Sequence, residues 1–128
     1  MKKLILLLLV VMLMTACGQD KENKQGAVYV NITAEQAKEI MDSQENYIIL
    51  DTRAQEEYDQ SHIPGAILIP HDEITEKAES MLPEKDQLIL VYCRSGRRSK
   101  LAAQDLVTLG YTNIKEFGGI IDWPYEVE

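Results

Sequence analysis

Short apolar runs alternate along this chain with segments whose apolar residues recur at helical spacing. We interpret the apolar runs as five strands, at residues 27–31, 47–50, 66–69, 88–92 and 113–117. A continuously apolar run is typical of a strand that is buried on both faces, as in a parallel sheet. Strands that alternate with helices favour an α/β layered domain with a mainly parallel sheet.

The helices are predicted from caps as well as from periodicity. Thr33 is predicted to cap the first helix, with Gln36 at the reciprocal position of a capping box. Further helices are predicted at 55–60, 74–82 and 99–109, the last with Ser99 as its cap. In a parallel sheet the functional site lies beyond the carboxyl ends of the strands, so we expect Asp51, Cys93 and the loop after Phe117 at one edge.

Cys93 opens the segment 93–99, whose sequence is CRSGRRS. Because a predicted strand leads into it and a predicted helix leads out, unpaired backbone N–H groups and the positive end of the helix dipole should face the thiol. Arg94, Arg97 and Arg98 add positive potential. This setting favours the thiolate, which is the nucleophilic form of cysteine. A buried structural cysteine is the alternative, but guanidinium groups beside a buried inert thiol would be costly.

The first residues predict export and a lipid anchor. A basic start precedes eleven apolar residues, 4–14, which suit a secretory signal and are too short to span a bilayer. Small residues then precede Cys17, as in a bacterial lipoprotein signal. We expect a signal peptide at 1–16, lipidation of Cys17 and a polar tether at 17–26. The folded domain would then occupy 27–128, on the extracytoplasmic face of a cell membrane. An ordinary cleaved signal is the alternative.

Charge and residue counts exclude several classes of function. The 128 residues include 13 Lys and Arg against 21 Asp and Glu, and removal of the signal would take two of the lysines away. An acidic chain of this kind is not expected to bind nucleic acid, whose affinity depends on basic side chains. With two histidines and one cysteine besides Cys17, no cluster has metal-ligand spacing, and we expect no metal and no cofactor. Gly118 and Gly119 lack the pattern of a dinucleotide-binding loop.

Four segments resemble those of single-domain rhodaneses, the sulfurtransferase family, in the expected order. They are LDTR at 50–53, EYDQSHIPGA at 57–66, the loop opened by Cys93, and GGIIDW at 118–123. Ser61 departs from the glycine that is common before the histidine of the second segment. The resemblance implies a three-layer α/β/α sandwich around a five-stranded sheet, here on a lipoprotein signal.

The resemblance also implies an activity. Rhodaneses move a sulfane sulfur from a donor such as thiosulfate to a thiophilic acceptor through a persulfide on the active cysteine, which here would be Cys93. The donor would be a small sulfur-containing anion, and the acceptor a thiol or a cyanide-like group. We expect a monomer. The substrate would be held by the backbone and side chains of Arg94, Ser95, Gly96, Arg97 and Arg98. Arg98 could equally turn inward to pair with an acid.

Residues near the loop are interpreted as structural support. Asp51 and Arg53 are expected to form a hydrogen-bonded brace at the end of a strand. His62 lies in a turn that looks structural in this family, and His71 has no evident partner. Trp123 is expected to act as a lid or packing residue.

Two other classes of function stay open. Phosphatases and arsenate-reductase-like enzymes also place a cysteine and an arginine on an anion-binding loop, but they need arginine six positions after the cysteine. Here that position is Ser99, and Arg98 comes one residue early. The second alternative is a thiol-based redox or sulfur-binding module without turnover.

Overall fold

The computed structural model describes residues 28–128. The predicted signal peptide, Cys17 and the predicted tether lie outside the described residues, as does Ala27, where the first strand was expected to begin. Within the part of the chain that the structure describes, no helix has both the length and the apolar character needed to cross a membrane.

Five parallel strands form a single sheet. They are β1 Val30–Asn31, β2 Tyr47–Asp51, β3 Ile67–Leu68, β4 Leu88–Cys93 and β5 Ile114–Gly119. Their order across the sheet is β1-β5-β4-β2-β3, and all of the pairings are parallel. The central strand β4 is buried along its whole length, as its continuous apolar run predicts. The prediction of a five-stranded parallel sheet is confirmed.

Helices cover both faces of the sheet. They are α1 Ala34–Ser43, α2 Gln55–Gln60, α3 Ile74–Met81 and α4 Arg97–Thr108, with 3-10 helices at His71–Glu73 and Ile120–Asp122. Residues of α3 and α4 pack with Leu50 and Val91 in one core, and residues of α1 pack with Leu90 and Phe117 in the other. The sheet therefore lies between two helical layers, which confirms the α/β/α architecture.

The capping box at Thr33 is confirmed, but the predicted start of α4 is wrong. The Thr33 hydroxyl accepts from the Gln36 N–H at 3.0 Å, and the Gln36 side chain accepts from the Thr33 N–H at 2.9 Å. Helix α4 begins at Arg97, with Gly96 as its N-cap, so Ser99 lies inside the first turn and is not the cap. Gly96 has φ of 108°, a left-handed conformation that favours glycine, and this lets the chain turn into the helix two residues early.

Candidate active site

The carboxyl ends of the three central strands lie at one edge of the sheet. Strand β2 ends at Asp51 and β4 ends at Cys93, and Cys93 is in register with Gly119 at the end of β5. The Thr52 N–H donates to the Tyr92 carbonyl at 3.0 Å and continues the pairing to the edge. The expectation that Asp51, Cys93 and the segment after Phe117 share an edge is confirmed.

The loop between β4 and α4 surrounds the Cys93 sulfur. The Gly96 N–H donates to Cys93 Sγ with an N···S distance of 3.0 Å, and Cys93 is 1% exposed. Gly96 is also the N-cap of α4, so the free N–H end of that helix begins at this loop. This arrangement of backbone donors at a helix N-terminus is suited to a sulfur anion.

The environment of Cys93 favours the thiolate. Burial raises the pKa of the Cys93 thiol, but hydrogen bonds from the Ser99 hydroxyl and from the N–H groups of Ser99, Gly96 and Ser95 outweigh it, so that the pKa is lowered overall. Donors that hydrogen-bond to an ionised sulfur stabilise it relative to the protonated form. The thiolate is the nucleophilic form of cysteine.

The three arginines of the loop have different surroundings. Arg94 and Arg97 are exposed, and neither forms an ion pair with another of residues 28–128. Arg98 turns inward to α2, where its Nη1 and Nη2 donate to the two Glu57 carboxylate oxygens at 2.7 and 3.0 Å. Two guanidinium groups of the loop are thus exposed and without an ion pair among the described residues, and the third is already paired.

The pair between Arg98 and Glu57 connects the amino ends of two helices. The Glu57 Oε1 atom also accepts from the Ala54 N–H at 2.9 Å, at the start of α2. The hydrogen bond to Arg98 lowers the pKa of Glu57 to about 2, while the same bond raises the pKa of Arg98. A bidentate pair of this kind restrains the loop relative to α2.

Asp51 and Arg53 form a buried pair beneath the site. Arg53 Nε donates to Asp51 Oδ1 at 3.0 Å, and Nη2 donates to Oδ2 at 2.8 Å and to the Ser61 carbonyl at 2.6 Å. The Tyr92 hydroxyl donates to Asp51 Oδ2 at 2.6 Å and accepts from the Ile63 N–H at 3.1 Å. Burial and the neighbouring Asp51 carboxylate raise the pKa of Tyr92. The network joins β2, β4 and the turn before β3, and the tyrosine in it was not anticipated from the sequence.

Gly119 allows the end of β5 to approach the Cys93 loop closely. A Cβ at this position would lie 1.9 Å from the Arg94 carbonyl oxygen and 2.5 Å from the Ser95 nitrogen. The Arg94 carbonyl also accepts from the Ile121 N–H at 3.2 Å. The backbone of the loop therefore rests directly on the backbone of β5, which is possible only where a side chain is missing.

Glu116 is a buried acid that sequence reasoning missed. It is 1% exposed on β5, and its carboxylate accepts from Ser99 Oγ at 2.5 Å, Lys100 Nζ at 2.9 Å and the Gly118 N–H at 3.0 Å. Ser99 thus connects Glu116 to the Cys93 loop instead of capping α4. The one sequence signal was an acidic residue inside a predicted buried strand, where a charge requires partners.

The structure also shows the surroundings of the two histidines and of Trp123. His62 stacks on Tyr58 with 3.8 Å between ring centroids, and its Nδ1 lies 2.9 Å from the Tyr58 carbonyl oxygen. His71 is half-buried at the start of a 3-10 helix, and Trp123 packs against Phe117 with 5.5 Å between ring centroids. Within residues 28–128, no group of three His, Cys, Asp or Glu side chains could hold a metal ion.

Comparison with known proteins gives consistent matches. A family model of the rhodanese-like domain matches residues 33–124. Thiosulfate sulfurtransferase PspE of Escherichia coli (strain K12) is 40% identical over 73 residues, which are 57% of this chain and 70% of PspE. YrkF of Bacillus subtilis (strain 168) is 36% identical over 112 residues, which are 87% of this chain and 60% of YrkF, so that the chain spans less than two thirds of that relative.

A solved structure described as a rhodanese with anions from E. coli superposes on the chain with a TM-score of 0.60 at 35% identity. The superposition covers 64% of this chain and 96% of that structure. The similarity therefore extends over nearly the whole of the solved protein, whose described ligands are anions.

Proposed function

The chain belongs to the rhodanese-like domain family, and from this premise we propose that it is a sulfurtransferase that carries a sulfane sulfur on Cys93. One observation carries the proposal: the Cys93 sulfur accepts from the Gly96 N–H at 3.0 Å, inside a loop whose Arg94 and Arg97 form no ion pair within residues 28–128. A buried sulfur with backbone donors around it is arranged to hold a charge. The relative PspE, named as a thiosulfate sulfurtransferase, supports the choice of thiosulfate as the first donor to test.

In the first step, the Cys93 thiolate attacks the outer sulfur of thiosulfate. A bond forms between the two sulfurs, and the bond to the sulfonate sulfur breaks. Sulfite leaves with the electron pair of that bond, and the enzyme keeps a persulfide whose terminal sulfur is anionic. We assign Arg94 and Arg97 to the oxyanions of the donor, because a guanidinium donates to an oxyanion in a fork. The N–H groups of the loop then hold the persulfide.

In the second step, a thiophilic acceptor attacks the terminal sulfur of the persulfide. A thiolate or a cyanide-like carbon nucleophile forms the new bond, and the Cys93 thiolate leaves with the electron pair. A thiol of low pKa is a good leaving group. The hydrogen bonds that lower the pKa of Cys93 therefore assist the release of the sulfur as well as its capture.

The direction of Arg98 weighs against phosphatase chemistry. A phosphatase loop needs an arginine six positions after the cysteine to hold a tetrahedral phosphate, and Ser99 occupies that position. Arg98, one position earlier, already binds the Glu57 carboxylate with both of its terminal nitrogens. The other alternative is a redox or sulfur-binding module without turnover, and the experiment below distinguishes it from a sulfurtransferase.

The sulfur transfer is tested by mass spectrometry on the chain carrying Cys17→Ser, which leaves Cys93 as its one thiol. Excess thiosulfate should add one sulfur atom, and a thiol acceptor should remove it again. Cys93→Ser in the same background should take up nothing. If reduced Cys93 gains no sulfur from thiosulfate or from any other sulfane donor, the sulfurtransferase proposal fails and the redox module is favoured. If the sulfur is gained but passes to no acceptor, the protein is a sulfur-binding module.

We also propose that Cys17 carries lipid and holds a monomeric domain on the extracytoplasmic face of a membrane. The apolar run and the small residues before Cys17 support this proposal. Cells that express the native chain should incorporate labelled fatty acid into it, and Cys17→Ala should abolish the label. A native chain that takes up no label and is released from washed membranes would refute the anchor. Light scattering of Cys17→Ala should give the mass of one chain.

A further inference from the structure

We propose that Glu116 is a positioning residue that holds Gly96, and with it the backbone N–H that Gly96 donates to the Cys93 sulfur, against the end of β5. The inference rests on the proposed sulfur transfer for its purpose, because it concerns the nucleophile of that reaction. It does not depend on the transfer for its test, which measures the reactivity of the thiol itself.

Gly96 is the residue whose position decides where the donor to the sulfur lies. Its nitrogen is 3.0 Å from Cys93 Sγ, and it adopts a left-handed φ of 108° as the N-cap of α4. A Cβ on Gly96 would lie 3.6 Å from Gly118 Cα and 3.9 Å from Glu116 Oε2, so that Gly96 packs directly on the end of β5. Whatever holds Gly96 against β5 therefore also holds the donor in place.

One oxygen of Glu116 joins the two sides of this contact. Its Oε2 atom accepts from the Gly118 N–H at 3.0 Å on the strand side, and from Ser99 Oγ at 2.5 Å on the helix side. Ser99 Oγ in turn lies 3.1 Å from the Gly96 carbonyl oxygen. The other carboxylate oxygen, Oε1, accepts from Lys100 Nζ at 2.9 Å. The contacts thus run from β5 through Glu116 and Ser99 to Gly96, whose N–H reaches the sulfur.

Glu116 occupies a position that burial alone would fill with an apolar residue. It is 1% exposed, and the other buried side chains of β5, Ile114 and Phe117, are apolar. Removal of a carboxylate from water is costly, and an apolar side chain of similar volume is often as stable in such a place. The carboxylate is therefore better explained by the groups that it holds together than by the stability of the core.

The position of Gly96 has a chemical consequence for a sulfur carrier. A hydrogen bond weakens steeply when its donor moves or tilts. If Gly96 moved away from β5, its N–H would stabilise the Cys93 thiolate less, and the lowered pKa of Cys93 would rise towards its ordinary value. The same N–H would then hold the persulfide less well. Glu116 thus acts on the sulfur through Gly96.

Other titratable and charged groups near the thiol form a background that the test leaves unchanged. They lie on the loop and α4, on β2 and the residues after it, on α2 and on β4: Arg94, Arg97, Arg98 and Lys100, Asp51 and Arg53, Glu57, and Tyr92. None of these groups differs between two variants that are both altered at Glu116 alone.

The test compares two neutral replacements of nearly the same length, Glu116→Gln and Glu116→Met. The glutamine carbonyl oxygen has two lone pairs and can accept from both Ser99 and Gly118, whereas a methionine sulfur accepts only weakly. The side chain of Lys100 is 51% exposed and can turn to solvent in both variants. A difference between them therefore reports the loss of the acceptor and not the loss of the charge.

The rate at which iodoacetamide alkylates Cys93 is measured in the full chain as a function of pH. Mass spectrometry of the tryptic peptide 86–94 reports Cys93 separately from Cys17. The midpoint for Glu116→Met should lie about one pH unit above that for Glu116→Gln, the shift expected when one hydrogen bond to a charged group is weakened. Below both midpoints Glu116→Met should be alkylated roughly threefold more slowly, because a smaller thiolate fraction is partly offset by a more nucleophilic thiolate.

Tyr111→Phe is the control for a general loss of stability. Tyr111 lies just beyond the carboxyl end of α4, and its buried hydroxyl is 3.0 Å from the Ala78 carbonyl oxygen and 2.5 Å from that of Leu82. Loss of this hydroxyl should lower the free energy of unfolding in urea titrations and leave the Cys93 midpoint at its native value. If Tyr111→Phe raises the midpoint as much as Glu116→Met does, the effect is a general loosening and the proposal fails.

Coincident profiles for Glu116→Gln and Glu116→Met would also overturn the proposal. If Glu116→Met fails to fold in urea titrations, Glu116→Asp takes its place and is compared with the native chain. Aspartate keeps the charge but withdraws the carboxylate by one carbon–carbon bond, so that it no longer reaches Ser99 and Gly118 together. Its midpoint should lie above the native one, and an unchanged midpoint would refute the role of Glu116.

The alkylation result is independent of sulfur transfer. If thiosulfate adds no sulfur to Cys93 while the glutamine and methionine variants still differ, the sulfurtransferase proposal is wrong and the positioning by Glu116 stands. If sulfur transfer occurs but the two profiles coincide, the reverse holds.

Discussion

Substitution of Gly119 by alanine should displace the Cys93 loop and reduce sulfur transfer. The new Cβ would lie 1.9 Å from the Arg94 carbonyl oxygen and 2.2 Å from its carbon, whereas ordinary contact begins near ~3.5 Å. Both atoms belong to the backbone, so no side chain can rotate to relieve the overlap. The loop would have to move by more than an ångström, which is a displacement that costs about 100-fold in rate when it separates reacting groups.

The backbone conformation of Gly119 means that an effect of Gly119→Ala can be attributed to the steric overlap alone. Its φ of −136° is accessible to any residue, so that alanine introduces no backbone strain there. Overpacking of this kind costs about 1–3 kcal/mol of stability. Gly118 offers a matched control, because a Cβ there meets nothing within 4 Å although its φ of 89° disfavours alanine. Gly118→Ala should therefore lose about 1 kcal/mol of stability and keep most of its transfer rate.

The assay measures the rate of sulfur uptake from thiosulfate for the two variants and for the native chain. Each rate is divided by the fraction of molecules that is folded, which a urea titration gives. Gly119→Ala should be slower by about 100-fold, and its Cys93 should lose the protection from alkylation that burial gives. If folded Gly119→Ala takes up sulfur at the native rate, the close approach of β5 is not what holds the loop. An equal loss in Gly118→Ala would also refute the reasoning, because it would trace the effect to backbone strain.

Three further predictions concern charged groups around the loop. The folded pKa of Glu57, about 2, lies below its usual value near 4.5, so its contribution to stability is present above pH 4.5 and is lost as the pH falls towards 2. Urea titrations should show this acid-dependent decrease in the native chain and a smaller one in Glu57→Gln, and identical decreases would mean that the pair with Arg98 is not the cause. Arg94→Ala should raise the KM for thiosulfate by roughly 10- to 100-fold. Iodoacetamide, which is neutral, should still alkylate Cys93 of this variant at nearly the native rate. An unchanged KM would contradict our assignment of Arg94 to the oxyanions of the donor. Asp51→Asn should lower the free energy of unfolding by about 3–5 kcal/mol because it leaves the Arg53 guanidinium buried without a counter-charge, and a loss below about 1 kcal/mol in the urea titration would contradict this account.

The strand and helix order could be predicted from the sequence because burial leaves a direct pattern in it. The continuous apolar run of β4 and the capping box of α1 are local signals, and both are confirmed. The lengths of the edge strands could not be predicted in this way. Strand β3 contains two residues where four were expected, because only Leu50 and Asp51 of β2 pair with it. Apolar residues record which side chains are buried, but pairing depends on where the neighbouring strand ends.

The position of the loop between a strand and a helix could be predicted from the sequence, and the residues that support it less so. A cysteine between a strand and a helix, followed by arginines, indicates an anion-binding nucleophile without any knowledge of the tertiary structure. Serine is a common N-cap, so the pattern placed the cap at Ser99, but the positive φ of Gly96 begins the helix earlier. The partners of Ser99 and Arg98 lie 17 and 41 residues away along the chain. Contacts at such separations leave no periodic signal in a single sequence.

The residues that we assign to the donor and the residues that hold the loop therefore occupy different parts of the chain. Arg94 and Arg97 follow Cys93 in the loop and form no ion pair with any other residue in 28–128, whereas Glu57, Glu116 and Gly119 contact the loop from α2 and β5. Changes in the second group should alter the reactivity of Cys93 towards every electrophile, because they move or polarise the sulfur. Changes in the first group should discriminate between charged and neutral reagents. A comparison of thiosulfate with iodoacetamide in each variant thus separates substrate recognition from activation of the nucleophile.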